Sequence, residues 1–150
     1  MKIAEALIQR DDLKRHLEDL NKRLLLNARH QEGEKPSEGV KAMLEEYNQC
    51  LSSLTALVLQ IKRANNRLVL ADGMPLVEAL TQRSALRHQH QMLTELADKA
   101  SELTFHQGRS ELRILPSVDV RALRQQAEVL YRRYRQLDLA IQQLNWLEDL

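Results

Sequence analysis

The sequence has 150 residues, an aromatic content of 3% and a formal charge of +1, from 22 basic and 21 acidic side chains. So small a charge provides no long-range field that would attract a nucleic acid or an anionic membrane. No stretch approaches the roughly 18 consecutive apolar residues of a membrane-spanning helix. We therefore expect a single domain over residues 1–150, with the Leu-, Ala- and Gln-rich composition that is typical of long packed helices.

The first half of the sequence predicts two helices joined by a loop. The first runs from residue 3 to about residue 27, because its leucines recur at spacings of four and three. Residues 28–36 break that pattern and form the loop. The second helix, from about residue 37 to residue 70, carries a heptad seam that consists of Val40, Leu44, Tyr47, Leu51, Leu54, Val58, Ile61, Asn65 and Leu68.

The second half predicts two more helices. After a turn at residues 72–75, a third helix extends to about residue 106. Its weaker seam indicates a looser interface and consists of Leu76, Ala79, Arg83, Leu86, His90, Leu93, Ala97 and Ala100. A fourth helix, capped by Asp119 or Ser117, extends to about residue 148. Its seam consists of Val120, Leu123, Ala127, Leu130, Tyr134, Leu137, Ile141 and Leu144.

Residues 109–116 lack the helical pattern. Leu112 and Ile114 alternate there with Glu111 and Arg113, which predicts a short extended or strand-like segment. The segment would either pair with another subunit or lie unpaired across the helices. The sequence thus predicts an all-α fold of four long helices in antiparallel hairpins, which form a bundle or coiled-coil-like arms.

Motifs for catalysis are missing from the sequence. It contains no Glu followed three residues later by His, no glycine-rich phosphate loop and no paired cysteines. Asp12 with His16, and Glu102 with His106, are interpreted as ordinary surface pairs because two ligands do not complete a metal site. We therefore predict that the protein is not an enzyme and has no catalytic residue, metal ion or cofactor.

Two readings of Asn65 remain open. An amide in a heptad seam commonly fixes the register of the helices, but Asn65 and Asn66 could also join Arg83 and His90 in a polar pocket between helices. Trp146 lies off the last heptad positions, so we expect it to pack over a bundle end or into a neighbouring subunit.

Several phrases resemble a family of small bacterial helical proteins known as septicolysin-like: MKIAEAL, LNARHQEGEKP, IKRANN, LADGMPLVEAL, SELRILPSVDV and QLNWLEDL. The resemblance spans nearly the whole chain and implies an elongated helical fold, with no catalytic assignment. It also implies a set of polar positions within the matching motifs, namely Asn65, Asp72, Ser110, Glu111, Asp119, Asn145 and Trp146. The family name suggests membrane lysis, but narrow apolar stripes and balanced charge do not fit a lytic segment.

The leading functional hypothesis is a non-enzymatic helical scaffold or interaction protein that associates with itself, because helices with a single apolar stripe often satisfy that stripe between subunits. The alternative is a module that binds a small ligand or ion in the polar pocket. Lysis and nucleic-acid binding rank below both, since five arginines of the last helix are balanced by nearby acids. The lone Cys50 and the lack of a signal-peptide pattern predict a bacterial cytoplasmic location.

Overall fold

The computed structural model describes residues 1–102 and 113–150 of the chain. These residues form four α-helices: α1 (Ile3–Leu26), α2 (Val40–Arg67), α3 (Leu76–Ala100) and α4 (Val120–Leu147). The predicted all-α class is confirmed. Helix α2 begins later than expected and α3 ends at Ala100 rather than near residue 106. Of the predicted extended segment, residues 113–116 are exposed and lie in neither helix nor strand, while residues 109–112 fall outside the described residues.

The chain divides into two compact units. One comprises Met1–Leu68 with Gln142–Leu150, and the other comprises Val69–Ile141. Each unit contains an antiparallel helical hairpin, α1 with α2 in the first and α3 with most of α4 in the second. The single domain expected from the sequence stays a prediction.

Helices α1 and α2 pack in an antiparallel hairpin. The thiol of Cys50 lies 3.6 Å from the carbonyl oxygen of Leu13, and His16 Nε2 lies 2.9 Å from Glu46 Oε1. Burial raises the pKa of the Cys50 thiol, and the nearby Glu46 carboxylate raises it further. The core of this unit contains Ala6, Leu57 and Ile61, with Leu7, Leu13 and Leu150 packed against it.

The buried stripe of α2 differs from the predicted seam. Seven of the nine predicted residues are buried or half-buried as expected, namely Val40, Tyr47, Leu54, Val58, Ile61, Asn65 and Leu68. The other two, Leu44 and Leu51, are 49% and 42% exposed. The most buried residues include Met43, Cys50, Leu57 and Ala64, which lie one residue before 44, 51, 58 and 65, and both sets repeat every seven residues. We call Val40, Leu44, Leu51 and Val58 the outer stripe of α2; its exposed members are Leu44 and Leu51.

The two chain ends of the first unit pair with each other. Ile3 donates its backbone N–H to Glu148 O at 3.1 Å, and Leu150 donates its own to Met1 O at 3.0 Å. The Lys2 ammonium donates to Leu147 O at 2.9 Å, where it satisfies a carbonyl at the end of α4. These bonds hold the beginning of α1 against the end of α4.

A side-chain cluster closes the loop between α1 and α2. The Arg23 guanidinium donates from Nε to both carboxylate oxygens of Glu38 at 3.1 Å. Asn27 Oδ1 accepts the backbone N–H of Glu38 at 3.2 Å. The hydrogen bond from Arg23 lowers the pKa of Glu38, because it stabilises the charged carboxylate.

The second unit begins with a tight turn into α3. Gly73 adopts a φ of 88°, a conformation that glycine tolerates best, and Asp72 Oδ1 accepts the backbone N–H of Met74 at 3.0 Å. At the start of α4, Asp119 Oδ1 accepts the N–H of Ala122 at 3.0 Å, so Asp119 is the capping residue. Both predicted seams are buried or half-buried throughout α3 and α4.

Candidate functional site

The α3–α4 hairpin carries three polar contacts between its helices, one about every seven residues. Arg83 Nη1 lies 2.6 Å from Asp138 Oδ1. The rings of His90 and Tyr131 have centroids 5.3 Å apart, and Arg124 Nη1 lies 3.0 Å from an oxygen of Asp98. Seven residues span two helical turns, so all three contacts lie on the same side of the hairpin. We call this set the polar ladder: Arg83, His90, Asp98, Arg124, Tyr131 and Asp138.

The ladder fixes the register of the two helices. The pairing of Arg83 with Asp138 and of Asp98 with Arg124 requires α3 and α4 to run antiparallel. Sliding one helix by a turn would separate both ion pairs and leave Arg83 and Asp138, which are 29% and 31% exposed, without partners. Arg135 lies over the Tyr131 ring at 5.9 Å, which extends the charged surface around the ladder.

A groove runs along the hairpin on the side away from the ladder. It consists of three cavities of about 670, 610 and 460 Å³ that share Gln89, Leu93 or Leu130. Its floor contains Leu86, Leu93, Leu130 and Leu137, and its walls contain six glutamines. We call it the amide-rimmed groove, and the glutamines are Gln82, Gln89, Gln91, Gln125, Gln126 and Gln136.

Charge is scarce in the amide-rimmed groove. Of its lining residues, the side chains that are charged at neutral pH are Asp72, Glu95 and Arg133. Because Asp72 already accepts the Met74 N–H, its carboxylate is partly engaged within the turn. A leucine floor with few charged side chains around it resembles the core of a protein interface, where charged residues are depleted.

Neither a metal-binding group nor a membrane-spanning helix occurs among the described residues. Among the described residues, no group of three or more His, Cys, Asp or Glu side chains could hold a metal ion. In the same part of the chain, no helix combines the length and apolar character needed to cross a membrane. A groove with a heptad-spaced apolar floor can accommodate a third helix, since two helices offer the holes into which its side chains fit.

Comparison with known proteins identifies a family. Residues 3–150 match a family described as a family of unknown function, DUF6847. The chain belongs to this family. The fold of this DUF6847 protein is similar to a crystal structure of a functionally unknown conserved protein from Corynebacterium diphtheriae, with a TM-score of 0.92 and 36% sequence identity over 100% of this chain and 98% of that one. No protein of curated function matches.

The resemblance to septicolysin-like proteins was wrong. The family match over nearly the whole chain is to DUF6847, and neither it nor the structural relative points to septicolysin-like proteins. The quoted phrases are short, and several lie at helix ends and turns, where Asp, Gly, Pro and Asn are common in any helical protein. The lytic hypothesis, which depended on that family name, loses its basis.

The structure of the DUF6847 protein places the predicted pocket residues in different settings. Arg83 and His90 belong to neighbouring contacts of the ladder in the second unit. Asn65 is half-buried and Asn66 exposed on α2, in the first unit. A pocket containing all four residues therefore stays a prediction.

The other predicted site residues have local roles or lie elsewhere. Asp72 and Asp119 accept backbone hydrogen bonds at a turn and at a helix start. Asn145 is buried near the end of α4, where Trp146 is 56% exposed. Ser110 and Glu111 fall outside the described residues.

Four ladder residues were not predicted as site residues from the sequence: Asp98, Arg124, Tyr131 and Asp138. In the structure, 83 pairs with 138, 90 with 131 and 98 with 124, and the nearly constant sums of residue numbers reflect the antiparallel alignment of the two helices. Spacing within either helix does not give this alignment. The glutamine walls of the groove gave no signal either, since exposed glutamines are common on helix surfaces.

Proposed function

We propose that this DUF6847 protein is a non-enzymatic helical interaction protein that associates with further copies of itself through the amide-rimmed groove. The observation that supports the proposal is the leucine floor, which repeats every seven residues between walls that are rich in glutamine and carry few charges. The burial of such a floor is favourable by about 25 cal/mol per Å², and the small number of charged side chains limits the desolvation cost.

The ladder supports the non-enzymatic part of the proposal. Its ionic side chains bind each other across the hairpin, in pairs that fix the packing of α3 on α4. The buried thiol of Cys50 fits a reducing compartment, so the proposed location is the cytoplasm.

Two adjacent positions on α3 allow a direct test. Ala85 lines the groove, whereas its neighbour Ser84 does not, and both are exposed. We expect wild-type protein to associate at micromolar concentration in sedimentation velocity, and A85E to remain monomeric because association would desolvate the added carboxylate within the groove. S84E should associate like the wild type.

Circular dichroism of both variants provides the control for folding. Wild-type protein that remains monomeric throughout the micromolar range would contradict the proposal. Equal association of A85E and wild type would also contradict it, since the new charge would then lie outside the interface.

A further inference from the structure

We infer that the occupant of the amide-rimmed groove is the outer stripe of α2 from a second copy of the chain, so that the copies associate head to tail. This inference rests on the proposed function and names the two surfaces that meet. The first unit supplies the stripe and the second unit supplies the groove. Each copy therefore presents one of each.

The part of α2 that carries Leu51 and Val58 of the outer stripe lacks charge. Residues 47–61 of α2 contain no Asp, Glu, Lys or Arg, although many of them are exposed. Leu51 and Leu59 are 42% and 47% exposed within this stretch. An exposed helix surface without charge over four turns is unusual, because charged side chains normally cover the solvent face of a helix. A partner with few charges can cover it without desolvating an unpaired charge.

The amide-rimmed groove matches this stretch of α2 in length. On α3 its lining extends from Gln82 to Glu95, which is about 20 Å at 1.5 Å per residue. The neutral stretch of α2, residues 47–61, is also about 20 Å long by the same rise. The groove carries Asp72, Glu95 and Arg133 among its lining residues, and a neutral occupant of this length can cover the leucine floor while it brings no further charge to be desolvated.

The two surfaces also share one repeat. Leu44, Leu51 and Val58 are seven residues apart along α2. Leu86 and Leu93, which form the α3 side of the groove floor, are also seven residues apart. Leu130 and Leu137 repeat the same distance on α4. Side chains with a common heptad repeat fit knobs into holes along the whole contact. A repeat that differed would lose its fit after one or two turns.

The geometry has a consequence for assembly. A contact between two different surfaces is heterologous, so each added copy leaves one groove and one stripe free unless the copies close into a ring. A contact of groove with groove would instead stop at a dimer. The two arrangements therefore respond differently to blocked surfaces. A copy with only an intact groove can bind a copy with only an intact stripe in the heterologous contact, whereas a contact of groove with groove needs two intact grooves.

Complementation between two blocked variants tests the inference. L51E disables the stripe and leaves the groove intact, and A85E disables the groove and leaves the stripe intact. We expect each variant alone to be monomeric, with association weakened roughly 100-fold by the unpaired charge. An equimolar mixture should form a 1:1 heterodimer and nothing larger in native mass spectrometry, because it contains one intact groove and one intact stripe per pair.

Matched variants separate this contact from misfolding. S53E lies two residues further along α2, about 200° around the helix from Leu51, and should associate like the wild type. T55E carries the charge at an exposed position close to the stripe and replaces L51E if that variant does not fold.

The outcomes distinguish the inference from the proposed function. If L51E and T55E associate like the wild type while A85E stays monomeric, the groove does not bind α2 and the inference is overturned, although the proposed function stands. A mixture that yields no heterodimer would overturn the inference as well. Wild-type protein that stays monomeric would overturn both.

Discussion

The two faces of the α3–α4 hairpin share one seam but differ in how their polar groups are satisfied. Among the described residues, the hydrogen bonds that join α3 to α4 all lie on the ladder face. The groove face has glutamine walls and a leucine floor, with none of those cross-helix bonds. A polar face whose groups bind each other is complete within the hairpin, whereas an apolar floor gains stability only when something covers it.

The largest expected effect concerns the groove floor. Leu93 lines two of the three cavities and is half-buried. We expect L93A to lower the free energy of unfolding by about 2 kcal/mol, near the lower end for buried leucines, because part of the side chain already contacts solvent. Urea unfolding followed by circular dichroism measures the loss. L96A is the control, since Leu96 is 40% exposed and lies outside the groove lining, and an equal loss there would show that the floor has no special role.

The next effect concerns the ladder. We expect D138A to lower the free energy of unfolding by about 1.5 kcal/mol, because it leaves the half-buried Arg83 without its partner. A double-mutant cycle with R83A should give a coupling of about 1 kcal/mol. The exposed pair of Arg132 and Glu128 on α4 is the control and should couple by less than about 0.5 kcal/mol. Equal couplings would mean that the ladder is an ordinary surface arrangement.

A smaller effect concerns the start of α4, on which the register of both faces depends. D119A removes the side chain that accepts the Ala122 N–H, and we expect it to cost about 1 kcal/mol of stability in thermal unfolding. The sequence allowed Ser117 as an alternative cap, so S117A is the matched control and should leave the melting temperature unchanged. A larger loss of stability in S117A than in D119A would mean that Ser117, and not Asp119, caps α4.

The fold was largely predictable because the predicted seams of α3 and α4 are buried or half-buried throughout. Helix α2 is the exception, since two adjacent stripes both repeat every seven residues and share Tyr47, Leu54 and Ile61. Periodicity cannot choose between them. The structure buries the stripe with the smaller side chains Cys50 and Ala64, so that the Cys50 thiol reaches the carbonyl of Leu13. The larger Leu44 and Leu51 remain exposed.

The candidate site was predicted less well. Arg83 and His90 were recognised because polar residues in a seam need partners, but those partners depend on how α3 and α4 align, which spacing within one helix does not give. The groove depends on the same alignment. Neither surface could be described until Leu86 and Leu93 were known to lie opposite Leu130 and Leu137.

The smallest expected effect concerns the ion pair of Arg23 and Glu38, which lies outside the α3–α4 hairpin. It tests whether this pair contributes as little to stability as the exposed pair of Arg132 and Glu128. The hydrogen bond from Arg23 lowers the pKa of Glu38 below its usual value of 4.5, so folding favours the charged carboxylate. The resulting stability is present above the usual pKa and is lost as the pH falls through the lowered one. We expect E38Q to melt slightly below the wild type near neutral pH.

The difference in melting temperature between E38Q and wild type should shrink toward zero as the pH falls below that lowered pKa, because protonation of Glu38 then removes the same charge. E45Q, which changes an exposed carboxylate of α2, should follow the wild-type curve at every pH. A difference in melting temperature that persists in acid would mean that Glu38 stabilises the protein through packing and hydrogen bonds that do not depend on its charge. The cluster would then resemble a turn cap more closely than the charge-paired contacts of the ladder.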